Sequence, residues 1–350
     1  MEPREVVEVV EAHTKERASM LKSYMANIPQ YLRERKAVTD VLLHRRHRPS
    51  EWHHLTLSKL LFPLTVCPYT DIFDAVVRRD PDEIEKRFNE CVEFVEENPK
   101  LPLYIEAFLS TPMALTLATA LLGRHKDTSY QPGKMYTVYG ERGCGKTTLT
   151  FWSVAVPLLA IGIDMKTVKD VVRSLWVVAD TKKYVELMYE VTQLAEEGKM
   201  VPFVVVDDAG VSFSKYMMAP GSSVAEKKLA ARVGEIEQIA REGVALSIYI
   251  TNPDMLIRPL RKSIGRRIDG VTVDTSKWRY TVWISRSPKT EGVKEYVEAF
   301  STVHPLMKTP DDLLAEWTKQ KLEVRKKILE EVATLGEAGA SRGTEPSFPS

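Results

Sequence analysis

Residues 140–147 read Gly140-Glu141-Arg142-Gly143-Cys144-Gly145-Lys146-Thr147 and fit the pattern GxxxxGK(S/T) at every required position. A β-rich run at 135–139 leads into them and an apolar helical run at 146–162 follows, which is the context that this pattern requires. Glycines allow successive backbone N–H groups to point at a phosphate, and the following helix adds its positive N-terminal end. The sequence therefore predicts a phosphate-binding loop between a strand and a helix.

The side chains of this loop have separate expected roles. Lys146 would place its charge between the β- and γ-phosphates, and Thr147 would offer its hydroxyl group to Mg²⁺. The other positions expected to contact the nucleotide are Gly140, Gly143, Cys144, Gly145 and Thr148. No NKxD sequence follows downstream, so a GTPase base-recognition signature is missing and ATP is the expected nucleotide.

A second apolar run, at 203–206, ends in the two acids Asp207 and Asp208. Two charges at the end of a buried strand are unfavourable as pure structure, because a buried charge needs a partner. We expect Asp207 to hold the Mg²⁺ shell through a water molecule, beside the hydroxyl group of Thr147. We expect Asp208 to act as the general base that activates the attacking water.

The β-rich run at 245–251 is followed by Asn252. We expect this strand to lie beside the strand that leads into the phosphate-binding loop, so that Asn252 holds the lytic water or the γ-phosphate. Asn252-Pro253 is also a turn signal, so the same side chain could instead cap the next turn.

Beyond the loop, β-rich runs alternate with helical ones, which is typical of an α/β protein whose parallel sheet is covered by helices on both faces. The β-rich runs are 135–139, 175–179, 203–206 and 245–251, and the helical stretches are 146–162, 180–197 and 223–242. We predict a helical N-terminal domain at 1–130, the α/β core at 131–290, a short helical lid at 291–335 and a disordered tail at 336–350. The lid helix, 311–334, would bury Leu314, Trp317, Val324, Ile328 and Val332.

The composition is that of an ordinary globular protein, with 44% apolar residues, 28% charged residues and a net charge of +1. This balance excludes a uniformly basic coat protein and a strongly acidic tail protein. The N-terminus is charged from its start, and Glu106 and Pro112 interrupt the apolar run at 101–122, so we expect neither a signal peptide nor a membrane span. The three scattered cysteines predict no disulfide framework. The chain is therefore expected to be soluble and cytoplasmic.

Downstream of the second acid-bearing strand, the sequence resembles the AAA+ ATPases. Their second homology region contains Thr-Asn, a turn, Asp-x-Leu, a helix and Gly-Arg with an acid nearby. This order is matched by Thr251-Asn252, Asp254, Leu256, Gly265-Arg266 and Asp269. The resemblance covers about residues 131–290 and is nearest to DnaA-like initiators and helicase loaders, including those carried by archaeal viruses and plasmids.

This resemblance implies an AAA+-like P-loop NTPase that forms a homo-oligomer on ATP, in which an arginine of one subunit reaches the γ-phosphate of its neighbour. Arg266 is the first candidate for this arginine, and Arg261 and Arg267 follow. The sequence departs from the family in the longer spacing before Gly265-Arg266 and in a hairpin at 271–284 in place of the fifth strand. Its lid is short, and Arg325 is the residue that could serve as the lid arginine.

DNA is the expected macromolecular partner, on the basis of two stretches. Residues 31–60 hold seven basic residues against three acidic ones, with four histidines and Trp52 among them. Such clustering is typical of phosphate contacts, although a solvated basic helix face has the same composition. The stretch 211–218 includes Phe213, Lys215 and Tyr216, which could grip a nucleic-acid strand by charge and stacking or pack as an apolar loop.

We therefore expect an ATP-hydrolysing AAA+ ATPase that acts on DNA, as in replication initiation or helicase loading. A DNA-translocating or packaging motor of the FtsK/HerA type is the first alternative, although such motors usually carry Glu where Asp208 stands. The second alternative is a nucleotide-gated switch or scaffold that does not act on DNA.

Overall fold

A computed structural model describes residues 1–26, 28, 78, 80–97, 105, 108–123, 130–213, 232, 235, 242–274, 279–287, 297–303 and 308–340. The helices are α1 (Pro3–Ala26), α2 (Pro81–Glu97), α3 (Pro112–Leu121), α4 (Lys146–Ala160), α5 (Met165–Leu175), α6 (Thr181–Glu196), α7 (Ala209–Ser212), α8 (Arg258–Ser263) and α9 (Asp311–Ala340). The strands are β1 (Lys134–Gly140), β2 (Trp176–Val178), β3 (Val204–Asp207), β4 (Leu246–Ile250), β5 (Ile264–Asp274), β6 (Arg279–Arg286) and β7 (Val297–Val303).

The described strands form one seven-stranded sheet in the order β2-β3-β4-β1-β5-β6-β7. The first five strands of this order are parallel, and β6 and β7 are added to β5 in antiparallel fashion. The parallel strands are buried, as in β3 and β4, which is typical of parallel sheets covered on both faces. The mixed α/β class predicted from the alternating runs is therefore confirmed.

The fifth strand of the parallel sheet is present, which corrects the prediction that a hairpin at 271–284 replaces it. β5 begins at Ile264 and pairs in parallel with β1, and its far end turns into the antiparallel partner β6. Residues 266, 268 and 270 are buried while 267 and 269 are partly exposed, so β5 has the period of two that is expected of a strand. The pattern was missed because one of its inward positions is an arginine, Arg266.

Three further elements were not predicted: α5, the short helix α7 and β7. Asp164 caps α5, since its carboxylate accepts hydrogen bonds from the backbone N–H groups of Lys166 and Thr167. Because β7 pairs with β6, the segment predicted as a helical lid at 291–335 contributes a strand to the sheet before its helix begins. The helix predicted at 223–242 lies almost entirely outside the described residues.

The described parts of the first 130 residues share one hydrophobic core with the sheet. Val6, Val7 and Val10 of α1 are buried in the same cluster as the side chains of α4, and α3 packs against α4. The division into domains at residue 130 stays a prediction, and no break in the core accompanies it in the described residues. In α2, Cys91 is disulfide-bonded, which the scattered cysteines did not lead us to expect.

The helix α9 is docked on the sheet by an aromatic stack and by ion pairs. The rings of Trp317 and Trp176 are stacked, with centroids 4.1 Å apart and an interplanar angle of 12°. Arg173 donates to the carboxylates of Asp312 at 2.8 Å and of Glu316 at 3.0 Å, so the first two turns of α9 are held against α5.

The buried face of α9 differs from the predicted one at its first position. Leu313 and Trp317 are buried, whereas Leu314 is 46% exposed and Val324 is partly buried against the core. The side chains of Ile328 and Val332 lie outside the described residues. The helix continues to Ala340, so residues 336–340 are helical and do not belong to the predicted disordered tail. The remainder of that tail, 341–350, lies outside the described ranges.

Among the described residues, no helix combines the length and the apolar character that crossing a membrane demands.

Trp317→Ala should lower the free energy of unfolding by about 3 kcal/mol, because it deletes a fully buried aromatic ring and leaves Trp176 without its stacking partner. Urea unfolding followed by circular dichroism measures this change. Leu314→Ala, on the exposed side of the same helix, is the matched control and should change the stability by less than about 0.5 kcal/mol. Equal losses in the two variants would contradict the docking of α9 through Trp317.

Candidate nucleotide-binding site

The loop between β1 and α4 has the backbone conformation that its glycines permit. Gly145 immediately precedes α4 with φ +85°, a left-handed conformation that strongly favours glycine. A Cβ atom at Gly140 would lie 2.7 Å from Cys144 Sγ and 2.8 Å from the carbonyl oxygen of Gly270, so the loop approaches β5 too closely for a side chain there. The predicted strand–loop–helix arrangement is therefore present.

A cavity of about 430 Å³ opens beside this loop, at the carboxyl ends of the parallel strands. It is lined by Arg142, Gly143, Gly145, Lys146, Thr147, Asp207, Asp208, Ile250, Lys321 and Arg325. The loop residues and the two acids were predicted to meet, and β3 and β1 bring them to the same edge of the sheet. Parallel strands place their carboxyl ends together, and ligands of open α/β sheets bind at this edge.

Lys146 folds back over its own loop. Its Nζ donates to the carbonyl oxygens of Gly140 at 2.9 Å and of Glu141 at 2.8 Å, and it lies 3.8 Å from Cys144 Sγ. The ammonium group therefore sits over the backbone that the motif uses for phosphate binding. Burial raises the pKa of the Cys144 thiol above its ordinary value, and the nearby Lys146 opposes this increase. Cys144 is fully buried, which suits a small side chain that fills space beneath the loop.

The hydroxyl group of Thr147 and the carboxylate of Asp207 face each other across the cavity, with Oγ1 3.4 Å from Oδ2. The backbone N–H of Asp208 donates to the other oxygen of Asp207 at 2.9 Å and fixes the orientation of the carboxylate. Hydroxyl and carboxylate oxygens are the donors that Mg²⁺ prefers. The two residues predicted to hold Mg²⁺ are thus side by side, and their chemistry fits this ion.

Asp208 adopts an unusual backbone conformation. Its φ of 53° and ψ of 37° place it in the left-handed region, which non-glycine residues visit rarely and at some energetic cost. This turn separates the two acids, since Asp207 is buried at the end of β3 while the side chain of Asp208 is 34% exposed at the cavity.

Burial raises the pKa of the Asp207 carboxyl above its ordinary value, and the adjacent Lys321 ammonium partly offsets this increase. Lys321 Nζ lies 2.9 Å from Asp207 Oδ2 and 3.7 Å from Asp208 Oδ2, and Arg325 Nη2 lies 3.9 Å from Asp208 Oδ2. Both cations come from α9. The acids at the end of β3 therefore have two positively charged partners supplied by a helix about 110 residues further along the chain.

Lys321 was not predicted as a site residue. Arg325 was predicted as a possible lid arginine, without a contact to these acids. A signal for both is the face of α9, because Trp317, Lys321 and Arg325 follow one another at intervals of four residues and so lie on one side of the helix. Trp317 alone identifies that side as the buried one. Two basic residues near that side are positioned to meet negatively charged side chains of the sheet, as Lys321 and Arg325 do.

Asn252 lies where it was predicted, after a strand that pairs with β1, but its side chain caps the next turn. β4 pairs in parallel with β1, with Val138 opposite Ile250. Asn252 Oδ1 accepts the backbone N–H of Asp254 at 3.0 Å and begins the short 3-10 helix Pro253–Met255. The role of Asn252 towards water or phosphate stays a prediction.

Thr148 is turned away from the cavity. Its hydroxyl group lies 3.0 Å from that of Thr309, just before α9. The predicted nucleotide contact of Thr148 stays a prediction, and in this structure its side chain connects α4 to the segment that leads into α9.

Arg266 occupies an inward position of β5, which corrects its prediction as the arginine that reaches a neighbouring subunit. It is 2% exposed, its guanidinium lies 4.7 Å from the ring centre of Tyr130, and its Nη1 is 3.8 Å from Glu298 Oε2. Glu298 also accepts a hydrogen bond from the Tyr130 hydroxyl group at 3.1 Å. This group of buried polar side chains connects β5, β7 and the segment before β1. Arg266 therefore has a structural role within the fold.

The remaining arginines of this stretch are at the surface. Arg261 is exposed on α8, 4.0 Å from Asp254 Oδ1, and Arg267 Nε donates to Asp269 Oδ1 at 2.6 Å. Neither lines the cavity of this chain. A role of Arg261 or Arg267 at the site of a second subunit stays a prediction.

The two stretches predicted to meet DNA are described only in part. Residues 31–60 lie outside the described ranges, as do Lys215 and Tyr216. Phe213 is fully buried, with its ring 4.8 Å from that of Tyr184 in an edge-to-face arrangement. This residue packs in the core, so the prediction that it could stack on a nucleic-acid base is wrong.

No protein-family profile and no curated protein matches the chain. Among solved structures, the N-terminal domain of zonular occludens toxin from Neisseria meningitidis is similar, with 14% sequence identity over 49% of this chain and 93% of that chain. The TM-score of 0.27 is too low for this similarity to add to what the chain's own geometry establishes.

Asp207→Asn should raise the free energy of unfolding at neutral pH when divalent metal is removed with EDTA. Because the pKa of the Asp207 carboxyl is raised on folding, there is a pH range in which this carboxyl is protonated in the folded chain and ionised in the unfolded chain. The free energy of unfolding therefore falls as the pH rises above the ordinary value of 3.8. Asparagine keeps an acceptor oxygen for the backbone N–H of Asp208, its amide NH2 can donate to Thr147 Oγ1, and it carries no charge to desolvate.

Urea unfolding at several values between about pH 5 and pH 8 measures the effect. Asp254→Asn, at an exposed position, is the control and should follow the wild type. An Asp207→Asn chain that is less stable than the wild type throughout this range would contradict the raised pKa.

Proposed function

We propose that this chain binds ATP together with Mg²⁺ and hydrolyses it. One observation carries the proposal: the loop that fits GxxxxGK(S/T) shares a cavity with two consecutive acids at the end of β3, and Thr147 faces Asp207 at 3.4 Å. A phosphate loop, an oxygen donor pair and a second acid within one cavity are the parts that phosphoryl transfer to water requires.

The position of each side chain indicates its role in binding or hydrolysis. Backbone N–H groups of the loop and the start of α4 bind the phosphates, and Lys146 exchanges its bonds with Gly140 and Glu141 for phosphate oxygens. Thr147 and Asp207 hold the metal, which would neutralise charge on the phosphates when bound. Asp208 reaches the cavity with a partly exposed carboxylate and is the general base, and Asn252 orients the water.

Lys146→Ala should abolish detectable binding of a fluorescent ATP analogue, because it removes the positive charge beside the phosphates. Asp208→Asn should bind the analogue as the wild type does and lose at least about a hundredfold in turnover, the usual contribution of a general base. Equilibrium fluorescence titration and steady-state phosphate release measure the two quantities. Lys182→Ala, at an exposed position of α6, is the control and should change neither. Equal loss of binding in the Lys146 and Asp208 variants would contradict this division of roles.

We further propose that the ATPase acts on DNA, as a DnaA-like initiator or helicase loader does, and that it assembles into a homo-oligomer on ATP. The basic stretch at 31–60 supports a DNA partner, as do the exposed residues Arg258, Arg261 and Lys262 of α8. Lysine and arginine side chains that neutralise phosphates would make this binding strongly dependent on salt.

A DNA-translocating or packaging motor is the second candidate, because the burial of Arg266 removes one feature that had favoured an initiator over it. In the AAA+ resemblance, Gly265-Arg266 was the segment expected to reach a neighbouring subunit. Since Arg266 is buried in β5, that feature no longer distinguishes an initiator from a motor that shares the same central sheet.

The ATP hydrolysis rate should rise when double-stranded DNA is added at low salt, and this stimulation should weaken as salt is increased. For an initiator or loader, the rate should reach its plateau on short duplexes, with assembly seen by gel filtration in the presence of an ATP analogue. For a motor, the rate should keep rising with duplex length. An ATPase that neither binds DNA at low salt nor responds to it would rule out both and leave a nucleotide-gated switch.

A further inference from the structure

The ammonium group of Lys321 contacts the same carboxylate oxygen that faces Thr147. Lys321 Nζ is 2.9 Å from Asp207 Oδ2, and Thr147 Oγ1 is 3.4 Å from that oxygen. Thr147 and Asp207 are the donor pair that would hold Mg²⁺. The ammonium group is therefore placed at the oxygen that the metal would use.

The burial of Asp207 makes this contact more than a surface ion pair. The residue is 1% exposed, and a carboxylate in that position needs a cation close by. Lys321 supplies a single positive charge and Mg²⁺ supplies two. The two cations compete for this oxygen, because like charges a few ångströms apart in a partly desolvated site repel strongly.

The two ends of α9 are held by different means. Trp317, Asp312 and Glu316 fix the first two turns to β2 and α5. Beyond Trp317, Val324 packs against the core, while Lys321 and Arg325 reach the two acids. Leu322 and Leu329 are 60% and 70% exposed, so this part of the helix has an open outer face.

We propose that Lys321 is an internal counter-ion that competes with the divalent metal for Asp207, so that metal binding releases the part of α9 that follows Trp317. The identity of the metal site rests on the proposed function. Trp317 acts as the fixed point, and the helix beyond it is held more tightly before the metal binds than after. The position of this segment therefore reports whether the site is loaded.

The direct test is a titration of the nucleotide-free chain with Mn²⁺, followed by electron paramagnetic resonance. Lys321→Met removes the competitor and should tighten Mn²⁺ binding by about tenfold, the effect expected for one charge-assisted contact. Lys321→Arg keeps a cation and should bind Mn²⁺ as the wild type does. Lys319→Met, at an exposed position two residues away, is the matched control and should also behave as the wild type.

A second measurement needs no variant. Hydrogen exchange of residues 318–335 in the wild type should become faster at saturating Mg²⁺, while residues 311–317 should not change. In Lys321→Met, exchange of 318–335 should be fast with and without metal. Unchanged exchange in the wild type, or Mn²⁺ binding to Lys321→Met that is equal to or weaker than that of the wild type, would overturn the proposal.

Both measurements omit nucleotide, so their outcome is separate from that of the proposed function. A chain that binds no ATP analogue would refute the ATPase proposal and leave the competition between Lys321 and metal to be decided by Mn²⁺. Conversely, normal ATP binding without any effect of Lys321→Met on Mn²⁺ would refute only the competition.

Discussion

The parallel pairing of β1 with β4 on one side and β5 on the other is the constraint on which the rest of the structure depends. This pairing, together with that of β4 and β3, brings the ends of three strands to one edge of the sheet. The loop that ends β1 and the acids that end β3 therefore face the same cavity, although they are 60 residues apart. The close approach of Gly140 to Gly270 shows that the neighbouring strand β5 also shapes the loop.

The buried carboxylate of Asp207 imposes a second requirement, because a charge at the end of a buried strand needs a cation. α9 meets this requirement with Lys321, at the end of an anchored segment whose fixed point is the stack of Trp317 on Trp176. The aromatic stack and the ion pairs of Arg173 hold the first turns of α9, and the contacts of Lys321 hold the next turn. Together they bring a helix from the far end of the chain over the strand ends.

The arginines after Asn252 show how a sequence pattern and a tertiary position can diverge. In the sequence they form one basic cluster, and a cluster of this kind is typical of surface that meets phosphate. In the fold, the β5 register turns Arg266 inward to Tyr130 and Glu298, while Arg267 points outward to Asp269. Neighbouring residues of a strand face opposite sides of the sheet, so two adjacent arginines acquire unlike environments.

The sequence by itself determined the α/β class, the loop between β1 and α4 and its position beside Asp207 and Asp208, because these depend on local patterns and on the rule that parallel strands end at one edge. It also located the helix that carries Trp317. Only the tertiary structure showed that Arg266 is buried, how far β5 extends and that Lys321 contacts Asp207. Each of these depends on which distant residue lies opposite, and neither hydrophobic period nor motif spacing contains that information.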